Sequence, residues 1–503
     1  MKQLKSKETI GDYVAVLNLR IIVFCCLLGI LNSFFFGNQA LMLGLCLIEI
    51  AILFYDFFRK NYEAYLCHYL VFLCFSMESA TFVGTNQFYG FKNFRIAGLN
   101  VAIWMLLPLI LMAIINWGFI KRRIGRLQRT IINSLAIFTL SGFLMGIITY
   151  LADDNGFSSQ SGSFGVFIDA YYTYLLPFLE LLAVSWVVCY VGRTKKIKQY
   201  LYASIIAMAV VFLACFIMGN YGNRGGLASL QVSDLYFLLV TALVLAVYPN
   251  FKRTNKVLLC VSALVILVLS LMFNASGKIV ITTVLIPVLM LIIVKRQGYA
   301  AKTILAIVFA SVCVIIVATV FLPKLAQNNL LLSTKLNQAT AMFSFSGGNW
   351  LENMASSPKM RITEFMNIGA EYFRKPWYAF WGKGFAGTIK DNLNLFDDLT
   401  EFSFSKWELN LGAFYTMHES INCFFLVGGI CGLICIVRIL GGLYKNIHKS
   451  PWLLFGFFWI LLFYNYHMTI AIYGIVSLVV GLYDLKPNIE DYGQELNYEK
   501  KSI

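Results

Sequence analysis

Long apolar runs, broken by short polar stretches, set the class of this chain before any motif is sought. A hydrocarbon core needs about 20 consecutive apolar residues per crossing helix. By that measure the pattern predicts 14 spans, over 14–36, 39–58, 63–83, 97–117, 131–151, 168–192, 200–219, 234–250, 257–274, 279–294, 304–322, 417–437, 452–467 and 468–484. The turns at 274–279 and 467–468 are very short. The runs are helix-length and lack the alternation of barrel strands. The expected fold is therefore all-α, a polytopic membrane protein with about 14 transmembrane helices and one large extracytoplasmic loop. A membrane domain of about 11 helices covers 1–322 and the loop, with short helices, covers 323–416. Closing transmembrane helices follow over 417–484, with a cytoplasmic tail over 485–503.

Composition agrees with the pattern: 59% of the 503 residues are hydrophobic and 13% charged, far from the globular average. The 94-residue loop is the exception, with nine basic and eight acidic residues and nine Asn. A transporter seldom needs one large polar loop on one side, whereas an enzyme acting on a lipid-borne substrate does. Lys and Arg placement gives the orientation. With the N-terminus inside, Lys121, Arg122, Arg123, Arg126 and Arg129 share one cytoplasmic loop, and Arg193, Lys195, Lys196 and Lys198 another. Of the 40 basic residues, 27 fall inside and 13 outside, nine of these in the long loop, where the rule is weak. The chain is expected in the cytoplasmic (inner or plasma) membrane, multi-pass, with both termini cytoplasmic. The net charge of +15 follows this topology and anionic headgroups, so no nucleic-acid partner is expected. The polar first 12 residues and the lack of a small-residue cleavage site argue against a cleavable signal peptide. All 12 Cys lie in or beside apolar segments, with no disulfide framework or metal-ligand spacing.

No inverted repeat or paired Gly/Pro-broken helices of the transporter kind are present. Inside the loop, Ser357-Pro358 predicts a helix start, and Met360, Phe365, Met366, Ile368 and Tyr372 form a loose apolar stripe ending before Pro376. On that helix Arg361 and Glu364 occupy neighbouring positions of one face. Next come Trp377, Phe380, Trp381, Gly382, Gly384 and Gly387, aromatics beside glycines. Such a stretch either brings backbone close to a ligand or anchors the loop to the bilayer.

Four groups could carry chemistry. His418 joins the polar loop to the next apolar segment, and histidine suits general-base work on a hydroxyl; the plainer reading is a hydrogen bond at a helix end. Arg361 could grip a diphosphate with its planar fork, or form a salt bridge with Glu364 or another loop acid. Lys278, in the turn Asn274-Ala275-Ser276-Gly277-Lys278, would stand at a helix N-terminus, or merely reach headgroups. Arg224, in Asn223-Arg224-Gly225-Gly226, is a further cation. Glu49 and Glu180 fall near the centres of their spans and Glu78 toward an external end. Such carboxylates are often functional or pack as protonated partners, and they keep a lipid-linked oligosaccharide flippase or transporter in view. Asp397-Asp398 reads as a solvated turn; neither a metal nor a cofactor is expected.

Three pieces in this order resemble the O-antigen polymerase/ligase superfamily, which includes the Wzy-type repeat-unit polymerases and lipid A–core O-antigen ligases. They are Ser276-Gly277-Lys278, opening a helix two spans before the loop; Arg361 with Pro376 and Gly382-Lys383-Gly384; and His418-Glu419-Ser420 running into Gly428-Gly429-Ile430-Cys431-Gly432. The resemblance covers roughly 270–440. It departs from the family pattern at Lys278, where Arg is usual, and at Glu419, where Asn is common. The resemblance implies a glycosyltransferase that uses a polyprenyl-diphosphate-linked oligosaccharide, making O-antigen, capsular or exopolysaccharide beside a flippase and chain-length regulator of the same pathway. It implies diphosphate binding by Arg361 and, with it, Lys278 or Arg224, and acceptor activation by His418. Glycan or lipid contact would fall to Trp381, Gly382, Gly384 and Glu419. Ligase-type transfer of a finished glycan, a flippase, and a purely structural partner in an export complex remain as alternatives.

Overall fold

The computed structural model describes residues 17–76, 99–154, 163–191, 195–219, 253–273, 356–396 and 404–446, with a few positions around 90–96, 351–354 and 453–457. Arg224, Lys278, Glu78 and Asp397-Asp398 lie outside the described residues. So do the expected spans at 234–250, 279–294, 304–322 and 468–484, and most of 452–467.

The described chain is overwhelmingly helical. In order it forms α1 (Leu19–Phe35), α2 (Gln39–Phe58), α3 (Tyr62–Phe75), the two-residue strands β1 (Arg95–Ile96) and β2 (Leu99–Asn100), α4 (Val101–Ile115), α5 (Trp117–Arg123), α6 (Arg126–Leu151), α7 (Ser163–Val191) and α8 (Lys195–Ile217). After these come α9 (Arg253–Phe273), α10 (Ser356–Arg374), α11 (Trp377–Trp381), α12 (Lys406–Leu411) and α13 (Ser420–Asn446). Local sequence explains many starts. Asn18, Asn38, Asn61 and Asn100 each stand at an N-cap and accept a hydrogen bond from a first-turn amide, which satisfies a donor the helix itself cannot.

Among the described residues four helices are long and apolar enough to cross a membrane: Gln39–Phe58, Arg126–Leu151, Gln199–Ile217 within α8, and Ser420–Asn446. A fifth follows if α4 and α5, bent by 78°, form one crossing. Around them α1 packs on α8 and α3, α4 on α7, α8 on α9, and α6 on both α7 and α13. Polar ties are few. Asp56 Oδ2 meets His68 Nδ1 at 2.7 Å, and His68 Nε2 meets the Tyr200 hydroxyl at 2.8 Å, joining α2, α3 and α8. Glu49 on α2 and Glu180 on α7 are both buried inside the bundle.

Two features position the candidate site. Helix α13 breaks at Gly429, whose φ of 58° and ψ of −143° suit glycine alone. The break frees carbonyls from the helical ladder, and the segment after α11 takes them: Lys383 N donates to Leu426 O at 2.9 Å and Gly384 N to Val427 O at 3.0 Å. The Tyr372 hydroxyl reaches the carbonyls of Phe425 and Leu426. The same segment docks on α6, where Phe385 N donates to Gly142 O at 2.8 Å and Thr149 Oγ1 to Lys383 O at 2.8 Å. Helices α10 and α11 are thereby fixed to the C-terminal end of α6, while Lys121, Arg122 and Arg123 precede its N-terminal end.

Candidate functional site

The N-terminal half of α10, the strand-like approach to α13 and the first turn of α13 converge on one carboxylate, Glu364. The approach is built locally. Ser405 and Glu408 form a capping box at the start of α12, the same Glu408 accepts from the amides of Tyr415 and Thr416, and Phe414 pairs with Ile389 as an isolated bridge. These bonds deliver His418 to the start of α13 at a fixed angle.

Glu364 is completely buried and accepts three hydrogen bonds. His418 gives two of them, its backbone N–H at 3.1 Å and its ring Nδ1 at 2.5 Å. Asn422 Nδ2 gives the third at 2.8 Å and also reaches Arg361 O. A buried carboxylate needs such partners, and the N-terminal end of α13 adds favourable partial charge. An Nδ1–H donating to Glu364 fixes the imidazole as the tautomer whose basic nitrogen is Nε2. Phe404 stands edge-on to the ring at 5.5 Å, and the imidazole stays about a quarter exposed (24%).

Arg361 lies one turn before Glu364 on α10, yet its partner is Glu419, at 2.5 Å from Nε. The Arg361–Glu364 salt bridge left open by the sequence is therefore replaced by two cross-element pairs, Arg361 with Glu419 and Glu364 with His418. Adjacent residues His418 and Glu419 thus meet two side chains that are neighbours on one face of α10. The arrangement places an oriented base and a planar cation side by side.

A second ionic cluster ties this region to α6. Asp154 takes Lys375 and the Tyr378 hydroxyl, and Glu371 takes Lys383 Nζ at 3.1 Å and Asn392 Nδ2 at 3.0 Å. Burial would raise the Asp154 carboxyl, but the bonds from Lys375 and Tyr378 outweigh it and hold it below the usual carboxylate range. Burial likewise works to raise Glu371, and Lys383, Asn392 and Lys375 reverse it. Lys375 is held above its ordinary value because Asp154 and Glu371 overcome the cost of its burial. Both carboxylates are thus ionised at neutral pH, and the cluster acts as a clamp.

Of the residues expected to touch glycan or lipid, Trp381 is half exposed, whereas Gly382 and Gly384 are buried. What these glycines approach is protein backbone. A Cβ at Gly382 would lie 2.4 Å from the Val427 carbonyl, and one at Gly384 would lie 2.0 Å from Gly146 N. The apolar stripe read along α10 also divides: Met360, Ile368 and Tyr372 face inward, while Phe365 and Met366 are exposed. Glu364 and Asn422 are the residues that sequence reasoning missed as site members. Their signal was Arg361-x-x-Glu364, a pair on one helix face, and the presence of Asn422 in the first turn of the helix that follows His418. Among the described residues no group of three or more His, Cys, Asp or Glu is placed to hold a metal ion. No family model matches this chain, and no curated protein matches its sequence.

Proposed function

We propose that this chain is a membrane glycosyltransferase joining polyprenyl-diphosphate-linked oligosaccharide repeat units into a polysaccharide at the outer face of the cytoplasmic membrane. The observation that carries the reading is the pairing of His418 with the buried Glu364, with Arg361 one turn away on the same helix. In the reaction an acceptor sugar hydroxyl attacks the anomeric carbon of the donor glycan. The bond from that carbon to the diphosphate breaks, and its electrons leave with the polyprenyl diphosphate. His418 Nε2 takes the hydroxyl proton, while Glu364 steadies the imidazolium that forms. Charge develops on the departing diphosphate, and preorganised cations lower the cost of that charge. Arg361 supplies one such cation, with Lys278 and Arg224 as further candidates, and in the resting protein Glu419 occupies the Arg361 Nε.

The order of the three motifs supports the reading, as does the topology expected from the sequence, about 14 spans with the 323–416 loop outside. A flippase would draw on Glu49 and Glu180, which are both packed between helices.

The test is purified protein in detergent with a lipid-diphosphate oligosaccharide and no membrane to cross. Wild type should elongate the glycan. His418→Ala should still fold and bind the donor, but elongate about 10²–10⁴-fold more slowly, the usual contribution of a general base. No elongation by well-folded wild type would turn the reading toward transport.

A further inference from the structure

Helix α10 keeps apolar side chains on its outer face as well as its inner one. Its buried face mixes Met360, Ile368 and Tyr372 with Thr363, Glu364, Asn367 and Glu371, whereas Phe365, Met366 and Phe373 repeat at helical spacing on the exposed face, beside Arg374. Phe373 is 89% exposed and Trp377, just beyond on α11, is 62% exposed. In water this outer face would be costly, since a contiguous exposed apolar face marks an interaction surface.

The docking on α6 says what covers that face. Lys375 and Tyr378 bond Asp154, just past the end of α6. From there the chain runs back down the helix, with Lys383 O bonded by Thr149 and Phe385 N bonded to Gly142 O. Gly142 lies nine residues before Leu151, about 13 Å of helical rise. Irregular backbone at membrane depth is tolerated only where protein satisfies its polar groups. Here the amides of Lys383, Gly384 and Phe385 all find carbonyls on α13 or α6, and residues 382–389 are all buried. The Lys383 side chain, itself 2% exposed, reaches up to Asp154 O and Glu371, as a snorkelling lysine does. Exposed apolar side chains also stand on α6 (Leu144, Ile148) and α13 (Ile434, Val437), the helices on which this segment docks, and Trp favours the level where hydrocarbon meets headgroups.

We infer that residues 375–388 form a re-entrant plug entering the bilayer between α6 and α13, and that the aromatic face of α10 and α11 rests on lipid. This depends on α6 and α13 crossing the membrane and is independent of the transferase reading. Full-length wild-type protein in phosphatidylcholine/phosphatidylglycerol vesicles, doped with a phospholipid carrying a diazirine on its acyl chain, provides the test. After photolysis, peptides containing Phe373, Trp377 and Trp381 should carry acyl adducts at yields comparable to those containing Leu144 and Ile148. In parallel hydroxyl-radical footprinting, Trp377 and Trp381 should be protected. Adducts on α6 with rapid oxidation of both Trp would place the face in water and overturn the proposal. Protection of both Trp without adducts would assign the face to a second protein copy and overturn it equally. Loss of adducts from α6 and α13 themselves would remove the membrane placement on which it stands.

Discussion

Glu364 binds His418 through both the backbone and the ring, so the base and the loop that carries it are aligned by one carboxylate. Glu364→Gln keeps the size but replaces one acceptor oxygen with an amide, which faces donors from His418 and Asn422 and mispairs. The expected result is normal insertion with transfer slowed by about 10²-fold or more, the scale of a misaligned base. Wild-type elongation rates from this variant would remove Glu364 from the site. Arg361→Ala should lower polymer formation by about 10²–10³-fold, as loss of one oxyanion-type stabiliser does. Arg361→Lys should recover little, because a point charge cannot reproduce the planar fork. Normal polymer length on a glycan gel from Arg361→Ala, at normal protein level, would sink the diphosphate assignment. Residue type and place in the chain single out Arg361 and His418, and the structure shows each paired with a carboxylate. Glu364 was visible only as an acid near Arg361, because its true partner is 54 residues away in sequence.

At the scale of elements, three glycine sets that look unrelated in the sequence form one joint. Gly146 on α6, Gly382 and Gly384 after α11, and Gly429 in α13 let three backbones approach where a side chain would not fit, while Gly142 and Gly428 make room for the side chains of Phe385, Val427 and Phe138. Gly384→Ala places a Cβ against Gly146 N and forces a φ of 75° on alanine, so overpacking of about 1–3 kcal/mol or more is expected. Gly369, on α10, has open space around its Cβ. Gly369→Ala should be tolerated or stabilise by up to about 1 kcal/mol through helix propensity. Melting temperature by fluorescence-detected size exclusion compares the two, and equal effects would contradict the joint. In the sequence, Gly382-x-Gly384 reads as a turn approaching a ligand or as a bilayer anchor. The structure sets both glycines against the backbone of α13 and α6, an approach to protein that demands the same residue as an approach to a ligand.

For the whole molecule, α6 sets the scale. Its 26 residues rise about 39 Å, with the basic residues of α5 at one end and the Asp154 clamp at the other. The Lys/Arg asymmetry of the sequence predicts that those ends lie on opposite sides of the membrane. In intact cells a cysteine at Lys390, an exposed position beyond the clamp, should react with an impermeant maleimide. A cysteine at Arg122 should react only after permeabilisation, and the reverse pattern would invert the topology. The helical class and the presence of helices long and apolar enough to cross a membrane were legible in the sequence itself, because apolar run length acts locally and through the bilayer. The limits of the predicted 39–58 span coincide with those of α2. The partner of His418, the polar groups buried on the inward face of α10 and the seating of the glycine turn in the break of α13 were decided by tertiary structure alone. Each depends on which distant backbone groups are left unpaired, and hydropathy along a single chain carries no record of that.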